Sequence, residues 1–286
     1  MRYSTKRRRF DDDDDAPYSV KISTAEPDET EDDDNWSSWD APGVLHGPDP
    51  WPDWVITELA AVDTELGVLK TGKEADVHLV ERGIPDTDRQ VILAAKRYRT
   101  PEHRLFHRDA GYLDGRRVRE SRLNRAMANR TAFGREVIAG QWASAEFAAL
   151  SRLWGLGVSV PYPVQLLGTE LMLEFIGDPD GTAAPRLAQM RPDRDELADL
   201  WQQLVDALAL LARAQLAHGD LSPFNLLVHH GRLVLIDLPQ VVDVVGNPQG
   251  MDFLMRDCHN VSTWFTARGL EVDEHELFAE LLTQVL

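Results

Sequence analysis

The chain predicts an α+β fold in two lobes, a small strand-bearing N-terminal lobe followed by a reduced helical C-terminal one. Three observations predict it. Alternating strand-like runs come early and amphipathic helical runs come late. The composition, 43 % hydrophobic and 27 % charged, suits a globular chain that buries a core. The 286 residues leave room for one large domain or two small ones plus tails.

Residues 1–50 read as a disordered acidic tail, with the run Asp11 to Asp15, the cluster Glu31 to Asp34, and no helix or strand period. Trp51 and Trp54 are expected to pack onto the domain that follows, which spans 51–286. Ile56 to Val62 suggests a short helix, and Gly67 opens a glycine-containing turn. Asp76 to Arg82 and Val91 to Lys96 alternate as strands. Residues 97–135 show no period and read as an Arg-rich loop or marginal helix. Val137 to Trp154 is helix-like, with Trp142, Ala145, Ala149 and Leu153 on one side. Val164 to Leu167 and Leu171 to Phe175 form a hairpin around Gly168. Asp195 to Ala217 is the clearest helix, its stripe running through Leu197, Leu200, Trp201, Leu204, Val205, Leu208 and Leu211. Leu226 to Val228 and Leu233 to Ile236 are short strands turning at Gly231. Phe253 to Leu286 is helical. The N-terminal lobe is thus expected over about 56–173, a linker at 174–178 and the C-terminal lobe over about 179–286.

Charge and composition exclude several classes of function. The net charge is −18, and residues 1–55 hold six Lys or Arg against fifteen Asp or Glu. Residues 97–135 reverse this balance, with eleven Arg against four acids. Global attraction to DNA is therefore disfavoured, while a local basic contact to RNA or a ribosome stays open. No run of about 18 apolar residues occurs, so no membrane association is expected. One cysteine, Cys258, excludes an internal disulfide and points to the cytoplasm. It reads as a buried small residue, and His229-His230 reads as a turn feature.

The densest chemical signal is His218-Gly219-Asp220-Leu221-Ser222-Pro223-Phe224-Asn225, followed by Ile236-Asp237-Leu238. Asp220 can orient a hydroxyl or accept its proton, and Asn225 and Asp237 offer oxygen ligands suited to Mg²⁺. Alone, Asp220 and Asn225 would be a polar turn. Lys96 changes the balance, because it ends an apolar strand from which alternation can aim its ammonium at phosphates in a cleft. Glu146, in an apolar helix, can fix Lys96 by an ion pair. Gly67 to Lys73 imitates a Walker A loop, but Glu74 replaces the required Ser or Thr and a strand follows. Thr71, Gly72 and Lys73 can still cover phosphates with backbone amides and one cation.

The segments Leu69 to Val77, His218 to Asn225, Ile236 to Gln240 and Phe253 to Val261 together resemble the RIO family of atypical serine/threonine protein kinases. The resemblance covers roughly Ile56 to Leu286 and fits the subfamily without a winged helix. It implies a protein-kinase-like fold without an activation segment, and ATP and Mg²⁺ as cofactors. Asp220 would be the catalytic acceptor, Asn225 and Asp237 the metal ligands, and Lys96, Glu174 and Ile176 contacts to ATP. The residue matching Asp237 can itself be phosphorylated in that family, as in an ATPase cycle. Pro223 departs from a commonly acidic position and Asp76 from a commonly Asn one. Only 49 residues follow Asp237, which leaves little room for a peptide-holding platform. The expected partners are ATP, an unidentified protein substrate or the chain itself, and a ribosome or ribonucleoprotein met through the Arg-rich loop. Two other readings stay open: a small-molecule phosphotransferase of the aminoglycoside or choline kinase type, and a nucleotide-gated ribonucleoprotein-binding module.

Overall fold

A computed structural model describes residues 36–99, 132–238 and 241–285, with backbone alone for 132–136. Ten strands and four α-helices occur among them. The N-terminal side is a six-stranded antiparallel sheet of order β1-β5-β6-β4-β3-β2. Its strands are β1 (Leu45–His46), β2 (Val62–Thr71), β3 (Ala75–Gly83), β4 (Gln90–Tyr98), β5 (Pro163–Leu167) and β6 (Glu170–Glu174). Helix α1 (Ala132–Gly155) lies between β4 and β5 in sequence. The C-terminal part contains helices α2 (Arg194–Arg213), α3 (Gly250–Thr266) and α4 (Glu274–Val285). Strand β7 (Leu216–Ala217) pairs with β10 (Val242–Asp243), and β8 (Leu226–His229) with β9 (Arg232–Leu235).

Strand alternation sorts β4 into two faces. Leu93 and Ala95 join a core with Trp39, Val80, Tyr162 and Met172. The intervening Ala94, Lys96 and Tyr98 line a cavity on the opposite face. Helix α2 is built on the expected stripe: Leu197, Leu200, Leu204, Val205, Leu208 and Leu211 are buried, and Trp201 packs edge-on against Phe265. Its N-terminus is capped by Asp193, whose carboxylate accepts from the amides of Asp195 and Glu196. Full burial of each such leucine contributes about 2 kcal/mol, and the stripe thus anchors the helical part.

Several expectations are corrected. Ile56 to Val62 forms no helix; it is irregular until Val62 opens β2. Gly67 does not open a turn but sits within β2, at φ 132° beside a register shift between Glu65 and Gly67. Residues 36–50, expected in the acidic tail, are packed: Trp39 is buried, stacks on His46 at 4.0 Å, and β1 pairs with β5. Trp54 meets Tyr162 edge-on at 5.9 Å, as expected, whereas Trp51 stays 40 % exposed against Trp39. The inward face of α1 is Ala139, Ala143, Glu146, Phe147, Leu150 and Leu153; Trp142, Ala145 and Ala149 are only half-buried. Helix α2 stops at Arg213, because the chain turns at Gln215 (φ 60°) into β7. The C-terminal helical stretch is two helices, broken at Gly269 (φ 91°). Arg97 and Tyr98 belong to β4, Arg99 follows it and pairs with Asp76, and residues from 132 belong to α1, while residues 100–131 of the Arg-rich loop lie outside the described residues. Among the described residues no helix is long and apolar enough to cross a membrane.

Candidate active site

A cavity of about 370 Å³ opens between the sheet and the helical part. Lys96, Glu146, Asn225 and Asp237 all line it, together with Gly72 and Lys73 from the β2–β3 turn and Glu174 and Ile176 after β6. Its apolar walls include Val77, Ala94, Leu150, Leu173 and Leu227. Such a slot, apolar with a few convergent charges, suits a planar ring joined to an anionic group.

Lys96 is the electrostatic centre. Its Nζ donates to Glu146 Oε1 at 2.8 Å and to Asp237 Oδ1 at 3.0 Å. Burial by itself would lower the Lys96 ammonium, but the Glu146 and Asp237 carboxylates outweigh it and hold it well above the ordinary lysine value. Tyr98 donates its hydroxyl to Glu146 Oε2, so both oxygens of the buried Glu146 are satisfied. Lys96 in turn holds the Asp237 carboxyl below the usual carboxylate range, against the effect of burial.

Hairpin register brings Asn225 and Asp237 together across twelve positions. Leu226 pairs with Leu235, and the Ile236 amide donates to the Asn225 carbonyl at 3.0 Å. Asn225 Nδ2 donates to the Asp220 carbonyl at 2.9 Å, which leaves its Oδ1 as the acceptor end. Asp237 has φ 62°, a left-handed conformation that Asp tolerates better than most residues and that favours functional sites. Asp220 is exposed beside this pair rather than in the cavity wall. Thr71 also lies outside the lining, paired to Asp76 at the end of β2. In the adjoining turn, the Gly72 amide donates to the Ala75 carbonyl at 3.0 Å, and a Cβ on Gly72 would meet that oxygen at 2.6 Å. Asp76 is engaged by Arg99 at 2.6 Å and does not line the cavity.

The linker end is more backbone than side chain. Glu174 Oε2 accepts from the Tyr162 amide at 3.0 Å, and the Ile176 carbonyl accepts from Ala184 at 2.9 Å. Among the described residues no backbone partner meets the Ile176 N–H, which borders the cavity.

The residue that motif reading missed is Asp257. Buried on α3, it accepts the Gly219 amide at 2.8 Å through Oδ2 and the Leu221 amide at 2.9 Å through Oδ1. One helical turn on, Asn260 donates to the Leu221 carbonyl at 2.9 Å, while Arg256 donates to the Gly219 carbonyl. The backbone on both sides of Asp220 is thus clamped from α3. His218 Nε2 donates to the Ile236 carbonyl at 3.0 Å, tying the same loop to the strand end before Asp237. Burial raises the Asp257 carboxyl, opposed by His218 and the two amides. The available signal was a D-x-x-N pair in an amphipathic helix, which has no meaning until the fold supplies its partner.

The sequence matches known proteins. The family described as RIO domain matches residues 87–277. The RIO-type serine/threonine-protein kinase Rio1 of Haloferax volcanii is 36 % identical over 218 residues, covering 76 % of this chain and 68 % of the relative. Serine/threonine-protein kinase RIO3 of Bos taurus is 33 % identical over 228 residues, 76 % of this chain and 42 % of that protein. Serine/threonine-protein kinase RIO1 of Saccharomyces cerevisiae is 30 % identical over 241 residues, 77 % of this chain and 48 % of the relative. The matched region is thus less than half of the animal and yeast proteins. A domain match over two thirds of the sequence, around a cavity that gathers Lys96, Glu146, Asn225 and Asp237, shows that this chain belongs to the RIO family of serine/threonine protein kinases.

Proposed function

We propose that the chain is an ATP- and Mg²⁺-dependent serine/threonine protein kinase or ATPase whose two lobes meet along residues 174–178. The observation that carries this reading is the Lys96 ammonium held between Glu146 and Asp237 at the wall of the cavity. Fixed there, it can meet a phosphate without reorganising. Gly72 and Lys73 cover the phosphate end, and Glu174 and Ile176 border the adenine end.

The donor set fits Mg²⁺. Asn225 offers Oδ1, Asp237 keeps Oδ2 without a hydrogen bond among the described residues, and both are hard oxygens on the cavity wall. When bound, the ion supplies charge neutralisation at the phosphates. The chain does the rest: Lys96 orients the polyphosphate, and Asp220, on its clamped loop, accepts the proton of the attacking hydroxyl. Only residues 238–249 separate Asp237 from α3, which supports a fold without an activation segment. A peptide substrate must then be held elsewhere.

The half-exposed Asp237 carboxylate, 52 % accessible, supports a second route in which it receives the phosphoryl group itself and is then hydrolysed. Single-turnover reaction with labelled ATP and Mg²⁺ separates the routes. Acid-stable label on Ser or Thr favours the kinase, and a hydroxylamine-sensitive adduct favours the aspartyl route. Transfer to an added aminoglycoside would replace both with small-molecule phosphotransfer. Asp237→Ala should abolish turnover in every arm while leaving circular dichroism unchanged.

A further inference from the structure

Away from Lys96 and Asp237, a second cluster of ligand-type side chains stands where the linker meets the tip of the β8–β9 hairpin. Asp178 Oδ1 lies 3.1 Å from His229 Nε2 and 3.6 Å from His230 Nε2, and one ligand atom from each residue falls within 4.8 Å of the others. We propose that Asp178, His229 and His230 form a binding site for a divalent transition cation of the Zn²⁺ or Co²⁺ class, separate from the Mg²⁺ position.

The geometry suits it. Ligands held at about 2.0–2.1 Å from such an ion stand roughly 3.3–3.4 Å apart in a tetrahedral arrangement and roughly 2.8–3.0 Å apart in an octahedral one. The Asp178 oxygen already sits near that spacing from both imidazoles, so side-chain rotation alone can admit the ion. Two imidazoles and one carboxylate are also the donor set that favours Zn²⁺, Co²⁺ or Ni²⁺ over Mg²⁺. The backbone presets the ligands. His229 is the last residue of β8, in register with Arg232. His230 and Gly231 adopt φ 50° and 76°, the left-handed pair of a tight hairpin turn, which swings the second imidazole beside the first at a ring separation of 4.1 Å. Asp178 is fixed by its amide to Thr182 (2.8 Å) and its carbonyl to Gly181 (3.0 Å). His230 is 79 % exposed, so an ion can enter from solvent and complete its shell with water. A bound ion would pin the linker to the same hairpin that carries Asn225 at its other end.

The test titrates the full-length chain with Zn²⁺ by calorimetry and with Co²⁺ by visible absorption, both in excess Mg²⁺. Wild type should take up one ion at micromolar or lower concentration and develop the Co²⁺ d–d bands. The double variant His229→Ala, His230→Ala should lose that uptake or bind at least about tenfold more weakly, since even outer-shell changes weaken metal sites by about that factor. Its Mg²⁺-dependent ATP turnover in buffer freed of transition metals should match wild type, which separates this site from the nucleotide cavity. His259→Ala, a histidine elsewhere on the surface, should bind as wild type does. No uptake by wild type, or equal uptake by the double variant, overturns the proposal.

Discussion

Lys96 and Glu146 show how two residues that look unremarkable singly become a site. A lysine at a strand end and a glutamate in a helix each have a solvated reading, and sequence order alone suggests their pairing. The structure adds Tyr98, which takes the second Glu146 oxygen and makes the carboxylate wholly internal. Replacing Lys96 by Met would leave Glu146 buried without its cation. Loss of one partner of a buried pair costs about 3–5 kcal/mol, so Lys96→Met should lower the urea midpoint by that equivalent and reduce ATP turnover at least about 100-fold. The Lys96–Asp237 contact adds about 1 kcal/mol or less, because Asp237 is half-exposed. The pH dependence follows from the two shifts. Asp237 is held below 3.8, so its contribution is present above that value and is lost as pH falls through the lowered one. Lys96 is held above 10.5, so its contribution is present below that value and is lost only as pH rises past the raised one. The stability difference between wild type and Asp237→Asn, which keeps the Lys96–Glu146 pair, should therefore be flat from about pH 5 to pH 9 and shrink in stronger acid. A difference that instead changed steeply near neutrality would contradict this charge assignment. Cys258 behaves as read from the sequence: it is buried, and burial pushes its thiol up to about 12, so thiol reagents should leave the native chain unmodified.

At the scale of elements, the hairpins and the α2 helix were legible because their periods are clean and their turns carry glycine. Gly168 and Gly231 both take positive φ where the turns require it. Ile56 to Val62 misled because its apolar spacing suits a helix, yet the residues lead into an edge strand fixed by tertiary pairing. Gly67 misled for a related reason: glycine in a strand can mark a bulge as well as a turn. The clamp from α3 was illegible, since a buried carboxylate 36 positions from its amide donor leaves no local pattern. That clamp makes its own prediction. Asp257→Ala leaves the Gly219 and Leu221 amides buried and unpaired, at about 1–3 kcal/mol each. It should lower kcat far more than it raises KM for ATP, because the cavity walls do not involve Asp257. Asp257→Asn, which keeps one acceptor, should recover part of kcat; equal effects on kcat and KM would show that α3 merely holds the fold. Gly177 gives a complementary test in the linker. A Cβ there would meet the Thr182 carbonyl at 2.4 Å and the Phe175 ring at 2.5 Å. Gly177→Ala should therefore displace the linker and weaken ATP binding while sparing the Asp220 loop, as nucleotide titration and hydrogen exchange would show.

Across the whole molecule, the order of early strands and late helices agrees with what the sequence predicts. The domain edge does not. The strap from Trp36 to Trp54 crosses the sheet, with Trp39 in the core beside Tyr162 and Met172, although its acidic neighbours look like a tail. Trp39→Ala should cost about 3–5 kcal/mol, and an unchanged melting temperature would return the strap to the tail. Residues 100–131 of the Arg-rich stretch lie outside the described residues, and its expected contact with a ribonucleoprotein rests on charge alone. Neutralising its arginines should spare ATP hydrolysis and flatten the salt dependence of any RNA binding. The account as a whole depends on one cavity that takes up nucleotide and Mg²⁺ together. Calorimetric titration of ATP into wild type and Asp237→Ala, with Mg²⁺ and with chelator, tests this most directly. The account predicts that Mg²⁺ tightens ATP binding at least about tenfold in wild type and has little effect in Asp237→Ala; equal ATP affinity with and without Mg²⁺ in wild type would contradict it.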